Sequence, residues 1–291
     1  PNVFSTRIYL KQANERCQNL LEKYAEPLAA LAWANGAEYE SDFLLQAWKV
    51  LISNHPHDSI CGCSVDAVHR EMMPRFEKAE QIGELVRDGA QKALTGKLDL
   101  PRPDFVEEEA PYARTLVVFN PLDCFRLATV CVHERVPWRL HQLPPELGVY
   151  HADGRPLPTQ VTNSSVGEYQ SGEDPARPTW DFDLLVEVVM PPLGFETFTV
   201  KSQASPQRAP QRVVVGPQML ANAFLEVEVA LDGALLITDL NTGDTYQGCN
   251  LYEDTEDIGD EYNYSPAPQT QPLSTIGLPA QISVAESGPI R

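Results

Sequence analysis

Positive charge is what this sequence has least of: 22 Lys and Arg stand against 41 Asp and Glu in 291 residues, a formal net charge of -19. A surface that acidic repels phosphate backbones and anionic lipid, which excludes a nucleic-acid or membrane-surface role. A neutral ligand such as a sugar stays compatible, and acidity also serves simply to keep a large protein soluble. The imbalance is uneven, with 11 basic against 14 acidic residues up to Pro101 and 11 against 27 after it. Also missing is any run near the ~20 consecutive apolar residues of a membrane span. Cysteine is sparse too. Cys17, Cys61, Cys63, Cys124, Cys131 and Cys249 are too scattered for a disulfide framework and fit reduced, mostly buried thiols of a cytoplasmic protein. There is no initiator methionine at Pro1, and the chain stops at Arg291 inside a strand-like stretch. Both ends read as cuts through a longer polypeptide, so the lack of a leader carries no information.

What is present begins with helical patterning. From about Ser5, apolar residues at Ala13, Cys17, Leu20, Leu21, Tyr24, Leu28 and Leu31 step by three and four, one stripe on a long helix that Asn35-Gly36 should end. Ser41 is a candidate cap for a second helix with Phe43, Leu44, Ala47, Trp48 and Leu51 on a face. Ser64 is a candidate cap for a third, running from Val68 to Leu94, which Pro74 should kink or truly start. These three predict an antiparallel bundle over 1–98. Prolines 101, 103 and 111 around Glu107-Glu108-Glu109 make a stretched linker, after which the apolar period becomes two. Residues 115–119, 128–132 and 182–189 read as strands of a small β-sandwich over 113–203. A second proline-rich gap precedes 225–229 and 235–237, a hairpin about Asp232-Gly233 and the start of a larger, incomplete β-sandwich over 213–291. The fold class is therefore α+β and multidomain, a three-helix bundle followed by antiparallel β-sandwich domains.

The stretch richest in chemistry is Asn54-His55-Pro56-His57-Asp58-Ser59-Ile60-Cys61-Gly62-Cys63-Ser64, between the second and third helices. Two histidines, an aspartate and two cysteines in so short a span point to metal, and two uses are open. His57 can be one ligand of a site completed elsewhere, with Asp58 facing the same cavity. Alternatively, His55, His57, Cys61 and Cys63 close a structural zinc site, although Cys-x-Cys spacing suits a tetrahedral knuckle poorly. A plain helix-connecting loop is the third reading.

The run resembles the Gln-His-His-Asp-Ala-Ile-Thr-Gly-Thr signature of glycoside hydrolase family 38, the class II α-mannosidases. Residues Ser5 to Asn14 resemble the opening of that family's middle domain, and the resemblance extends over the whole chain after them. It implies that His57 is a zinc ligand and that Asp58 hydrogen-bonds sugar hydroxyls. Pro56, Cys61 and Cys63 depart from the signature but leave the ligand position intact. It further implies a retaining mechanism, in which one carboxylate attacks the anomeric carbon while another protonates the leaving oxygen. In the family both carboxylates and the other zinc ligands lie in an N-terminal α/β barrel, the implied partner of this chain along with an α-mannoside substrate. The chain alone is then expected to be inactive, with its one zinc ion shared with the barrel. Self-association into a homo-oligomer is compatible with all of this.

A second constellation is Glu253 to Pro266. By itself it reads as an acidic turn, since the twelve-residue spacing of a calcium loop with its closing Glu is absent. The resemblance implies that its Gly-x-Tyr segment lays the hydroxyl of Tyr262 on the substrate, with Tyr264 packed behind. His69 and His133 stand alone and read as structural. The rival functions are a carbohydrate-binding β-sandwich module using Trp138 and Trp180 as platforms, and the closed zinc module.

Overall fold

The computed structural model describes residues 6–100, 112–137, 146–170, 176–202, 213–260 and 263–290. The first helical rod is α1 (Ile8–Leu20), a π turn (Leu21–Ala25) and α2 (Glu26–Ala34). The π turn lies just ahead of Pro27, whose missing N–H and ring cannot continue an ordinary α-helical ladder. Gly36, at φ +85°, then ends the rod, as the Asn-Gly pair predicts. Helices α3 (Ser41–Ile52), α4 (His57–Cys61) and α5 (Asp66–Thr95) follow. Glu40 and Val65 hold the N-cap positions of α3 and α5, and neither cap makes a side-chain hydrogen bond. The expected caps Ser41 and Ser64 therefore sit one residue inside and one residue outside the cap. Pro74 does not start the last helix, which runs through it for 30 residues.

The bundle core is Leu10, Ala13, Cys17, Leu21, Ala25 and Leu28 from the first rod against Leu44, Ala47, Leu51, Met72, Phe76, Ala79 and Val86. Alanines on α1, the π turn, α2, α3 and α5 let the backbones approach, and a Cβ at Gly83 would lie 2.9 Å from Leu20 Cδ2, so that side chain would have to shift. The apolar stripes of the sequence are these buried faces, except that Tyr24, Phe43 and Leu85 point outward.

Two antiparallel sheets face each other next. One has strand order β1-β7-β3-β4 and the other β2-β6-β5, with β1 (Ala113–Asn120), β2 (Arg126–Pro137), β3 (Leu147–His151), β4 (Pro156–Leu157), β5 (Thr159–Tyr169), β6 (Arg177–Met190) and β7 (Gly194–Ser202). Alternate residues of β6 (Phe182, Leu184, Val186, Val188, Met190) meet Val149, Phe198 and Val200 of the other sheet in one core. Buried Glu134 is satisfied by the Tyr112 hydroxyl and by Arg114, 3.5 Å away. Phe119 reaches out of this sandwich and packs on the bundle core.

A third sheet runs in sequence order: β8 (Val214–Gly216), β9 (Met219–Ala221), β10 (Leu225–Val229), β11 (Leu235–Asp239) and β12 (Thr245–Cys249). The β10–β11 hairpin turns at Asp232-Gly233, with Gly233 at φ +81°. Beyond it, short β13 (Glu253–Asp254) and β14 (Leu273–Ser274) pair, and Asp257 bridges Pro266. No described side chain from 213 to 260 is buried, so a second layer of this sandwich is not formed among the described residues. All described cysteines are free, but only Cys17 is buried. The expectation of mostly buried thiols is wrong because Cys124 and Cys131 occupy outward positions at a turn and on β2.

Candidate functional site

The loop between α3 and α5 is built around one turn of helix, α4. Pro56 precedes it with φ -47° and ψ 135°, an extended backbone that delivers the chain into His57 at the first helical position. Asp58 lies in that first turn, where negative charge is favoured. Gly62 closes the turn at φ +90°, and the amides of Cys63 and Ser64 both return to the carbonyl of Asp58 at 3.1 Å. Pro before and Gly after thus confine His57 and Asp58 to a single short turn.

The His57 side chain is 91% exposed, with Nε2 3.2 Å from Oδ1 of Asp58, itself 56% exposed. An imidazole and a carboxylate stand side by side and face outward from a braced backbone. His55 turns the other way, its Nε2 2.6 Å from Oδ1 of Asn14 on α1, and burial lowers its pKa below the ordinary imidazole value. Cys63 lies 3.5 Å from Asp58 Oδ1, and desolvation together with that carboxylate pushes its thiol up, away from the thiolate that zinc needs. Among the described residues, no three His, Cys, Asp or Glu side chains converge on a common point. The closed site of His55, His57, Cys61 and Cys63 is therefore not assembled. His57 could hold a zinc ion completed by ligands from elsewhere, being outward-facing and open to them, with the Asp58 carboxylate beside it facing the same way.

Beneath the loop lie residues that have no definite role by sequence alone. Arg7 donates through Nε to the carbonyl of Gly62 at 3.0 Å and through Nη2 to Asp66 at 2.7 Å. Lys11 Nζ donates to the carbonyls of Thr6 and Cys61 at 2.5 and 2.9 Å. The spacing of Arg7, Lys11 and Asn14 by four and then three could have placed them on one side of α1. Nothing in the sequence alone says that this side receives the loop. His69 on α5 is buried as expected of a structural histidine; among the described residues its ring nitrogens make no well-formed hydrogen bond, and burial lowers its pKa despite the opposing influence of the Asp58 backbone. His133 instead pairs with Asp183 at 2.8 Å.

Tyr262, the other expected sugar contact, lies outside the described residues, as does Trp138. Around Tyr262 the acidic segment folds on itself. Asp257 accepts from the amides of Gly259 and Ser265 at 2.9 Å, and Asp260 accepts from Asn263 at 2.8 Å. Tyr264 donates its hydroxyl to Thr255 at 3.0 Å. Trp180 packs against the sandwich core beside Phe182, so it offers no exposed sugar platform.

Residues 1–94 match the family described as alpha mannosidase middle domain. A Halalkalibacterium halodurans protein named "Putative mannosylglycerate hydrolase" is 30% identical over 320 aligned residues, spanning 98% of this chain and 34% of that protein. The crystal structure of an α-mannosidase from Enterococcus faecalis V583 superposes with a TM-score of 0.79 at 32% identity, covering 99% of this chain and 34% of the other. A second Enterococcus faecalis structure, described as a protein of glycosyl hydrolase family 38, gives 0.82 at 32% identity, covering 99% and 36%. The chain thus spans about a third of the length of these relatives. Residues 1–94 thus match the α-mannosidase middle-domain family, and nearly the whole chain is similar in sequence and fold to part of an α-mannosidase and of a glycosyl hydrolase family 38 protein.

Proposed function

We propose that this chain is the part of a zinc-dependent retaining α-mannosidase that supplies one metal ligand, His57, and one sugar-facing carboxylate, Asp58. The observation that carries the reading is the pair itself. An imidazole 91% exposed sits 3.2 Å from a carboxylate on a helical turn that backbone hydrogen bonds hold still. Side chains left uncovered on a braced loop are placed to meet something that comes from outside. In this reading the visitor is an N-terminal α/β barrel of the same protein, which brings the remaining zinc ligands and both catalytic carboxylates. Zinc held there would supply Lewis-acid polarisation and a template for the ring hydroxyls. Asp58 would accept hydrogen bonds from those hydroxyls and orient the terminal α-mannoside. Tyr262 would donate a further hydroxyl contact to the same sugar.

In the full-length protein, His57→Ala should remove most bound zinc and most α-mannosidase activity, since one ligand of a shared site is gone. A variant with stoichiometric zinc and near-normal turnover refutes the assignment. Asp58→Asn should keep the metal and lower kcat/KM by roughly 2–4 kcal/mol of transition-state stabilisation, as for a truncated charged hydrogen bond. Unchanged kinetics on an aryl mannoside would remove Asp58 from the sugar pocket.

A further inference from the structure

Three polar side chains at the start of and along α1 meet the α4 loop, and their hydrogen bonds to it among the described residues go to neither the His57 imidazole nor the Asp58 carboxylate. Arg7 holds the carbonyl of Gly62, Lys11 holds that of Cys61, and Asn14 holds His55. The two carbonyls close the C-terminal end of the turn whose first two residues are His57 and Asp58. Asn14 secures the residue just ahead of Pro56. The turn is therefore gripped on both sides, and its outward pair inherits its direction from that grip. Charged donors on the last carbonyls of a helix are a favourable arrangement, and here the donors come from another helix 50 and 55 residues away in sequence.

Arg7 carries a second mark. Its backbone is left-handed, at φ 50° and ψ 52°, with a long side chain and no glycine to make that conformation easy. Non-glycine residues persist there only when their surroundings over-determine them, and such strain concentrates at functional sites. Here the surroundings are the Gly62 carbonyl and the Asp66 carboxylate, both bound by the one guanidinium. Gly62 fits the same design, since a Cβ on it would stand 3.2 Å from the carbonyl of Thr6 and 3.4 Å from Lys11 Nζ.

We propose that Arg7 and Lys11 are positioning residues, which fix the direction of His57 and Asp58 through the carbonyls of Gly62 and Cys61. The proposal rests on the reading of His57 as a shared zinc ligand. Groups that orient a metal ligand typically change metal affinity or activity by about 10–100-fold when removed.

The test uses the full-length protein with two variants. Arg7→Asn retains a residue that tolerates the left-handed backbone and removes the guanidinium. Lys11→Met keeps the aliphatic stem and removes the ammonium. Three readouts are compared with wild type: hydrogen–deuterium exchange of the 57–64 amides, the half-life of bound zinc under chelator, and turnover of an aryl α-mannoside. Both variants should melt within a few degrees of wild type. Each should exchange the loop amides faster, release zinc about tenfold sooner and turn over about tenfold more slowly. Wild-type exchange and wild-type zinc half-life in both variants overturn the proposal, whatever His57→Ala does. Should His57→Ala retain its zinc, the metal reading fails by itself. The positioning role then stands or falls on loop exchange and turnover, where two unchanged values would overturn it.

Discussion

Gly62→Ala is the sharpest probe of how the candidate site is held. Gly62 has φ +90°, and a Cβ built on it lies 3.1 Å from Thr6 Cγ2, 3.2 Å from the Thr6 carbonyl and 3.4 Å from Lys11 Nζ. Two costs add. Placing an L-side chain in the left-handed region costs about 1–2 kcal/mol. Contacts that tight require Thr6 to give way by a few tenths of an ångström, which we set at about 0.5–1 kcal/mol as a mild case of overpacking. The expected loss is therefore about 2 kcal/mol, carried by the helical region. With a urea slope of about 2 kcal/mol/M, its unfolding midpoint should fall by about 1 M. The assay is urea denaturation followed by far-UV circular dichroism near 222 nm, where the bundle dominates the signal. Repeating it in a Thr6→Gly background isolates the side-chain part of the contact cost, since the Thr6 carbonyl stays. Removing the Thr6 side chain should relieve the Cγ2 contact and leave the backbone penalty in place. A midpoint shift below about 0.25 M for Gly62→Ala would show that the turn can adopt another path without loss. The account of Pro56 and Gly62 as the two ends of a fixed turn would then be wrong.

Two further outcomes follow from buried groups in the bundle. Burial, followed by the nearby Glu80 carboxylate, pushes the Cys17 thiol up to about 11. At pH 8 about one such thiol in a thousand would be ionised, so iodoacetamide should label exposed Cys124 and Cys131 first and Cys17 only after denaturation. Early labelling of Cys17 in the native protein, read by peptide mass spectrometry, would contradict its burial. His69 is held below the ordinary imidazole value by burial, so above the unfolded value of about 6.5 it is neutral in both states and contributes no pH dependence. As pH falls through that value the unfolded chain takes up a proton that the folded chain refuses, and stability drops. His69→Met should remove that drop, widening its stability advantage over wild type between pH 7.5 and 5.5. Parallel stability–pH curves for the two proteins would refute the burial argument.

Local chemistry was legible in the sequence wherever it depends on near neighbours. Steps of three and four placed the buried faces of the helices, because a helix presents such residues on one side whatever it packs against. Asn35-Gly36 and Asp232-Gly233 mark turns because their backbone preferences are their own. The pairing of His57 with Asp58 needed only adjacency. Strands 147–151 and 194–202 fall outside the strand-like stretches of the sequence, although in the second Phe195, Thr197 and Thr199 alternate with Glu196, Phe198 and Val200. Strand β5 carries Thr162, Asn163, Ser164 and Ser165, whose polarity hid it until β6 was there to pair with it.

What the tertiary structure alone decided concerns residues far apart in the chain. Arg7 and Gly62 are 55 positions apart, Lys11 and Cys61 are 50, and His55 and Asn14 are 41. No local preference encodes those contacts; they exist because α1 and the α3–α5 connection are brought together by a shared core of Leu10, Cys17, Leu51, Met72 and Phe76. The same packing turned His55 inward and left His57 facing out, so among the described residues the four side chains of a closed site do not converge. The residue types were present in the sequence for either arrangement. Which loop carbonyls Arg7 and Lys11 reach became apparent only once the helices had packed.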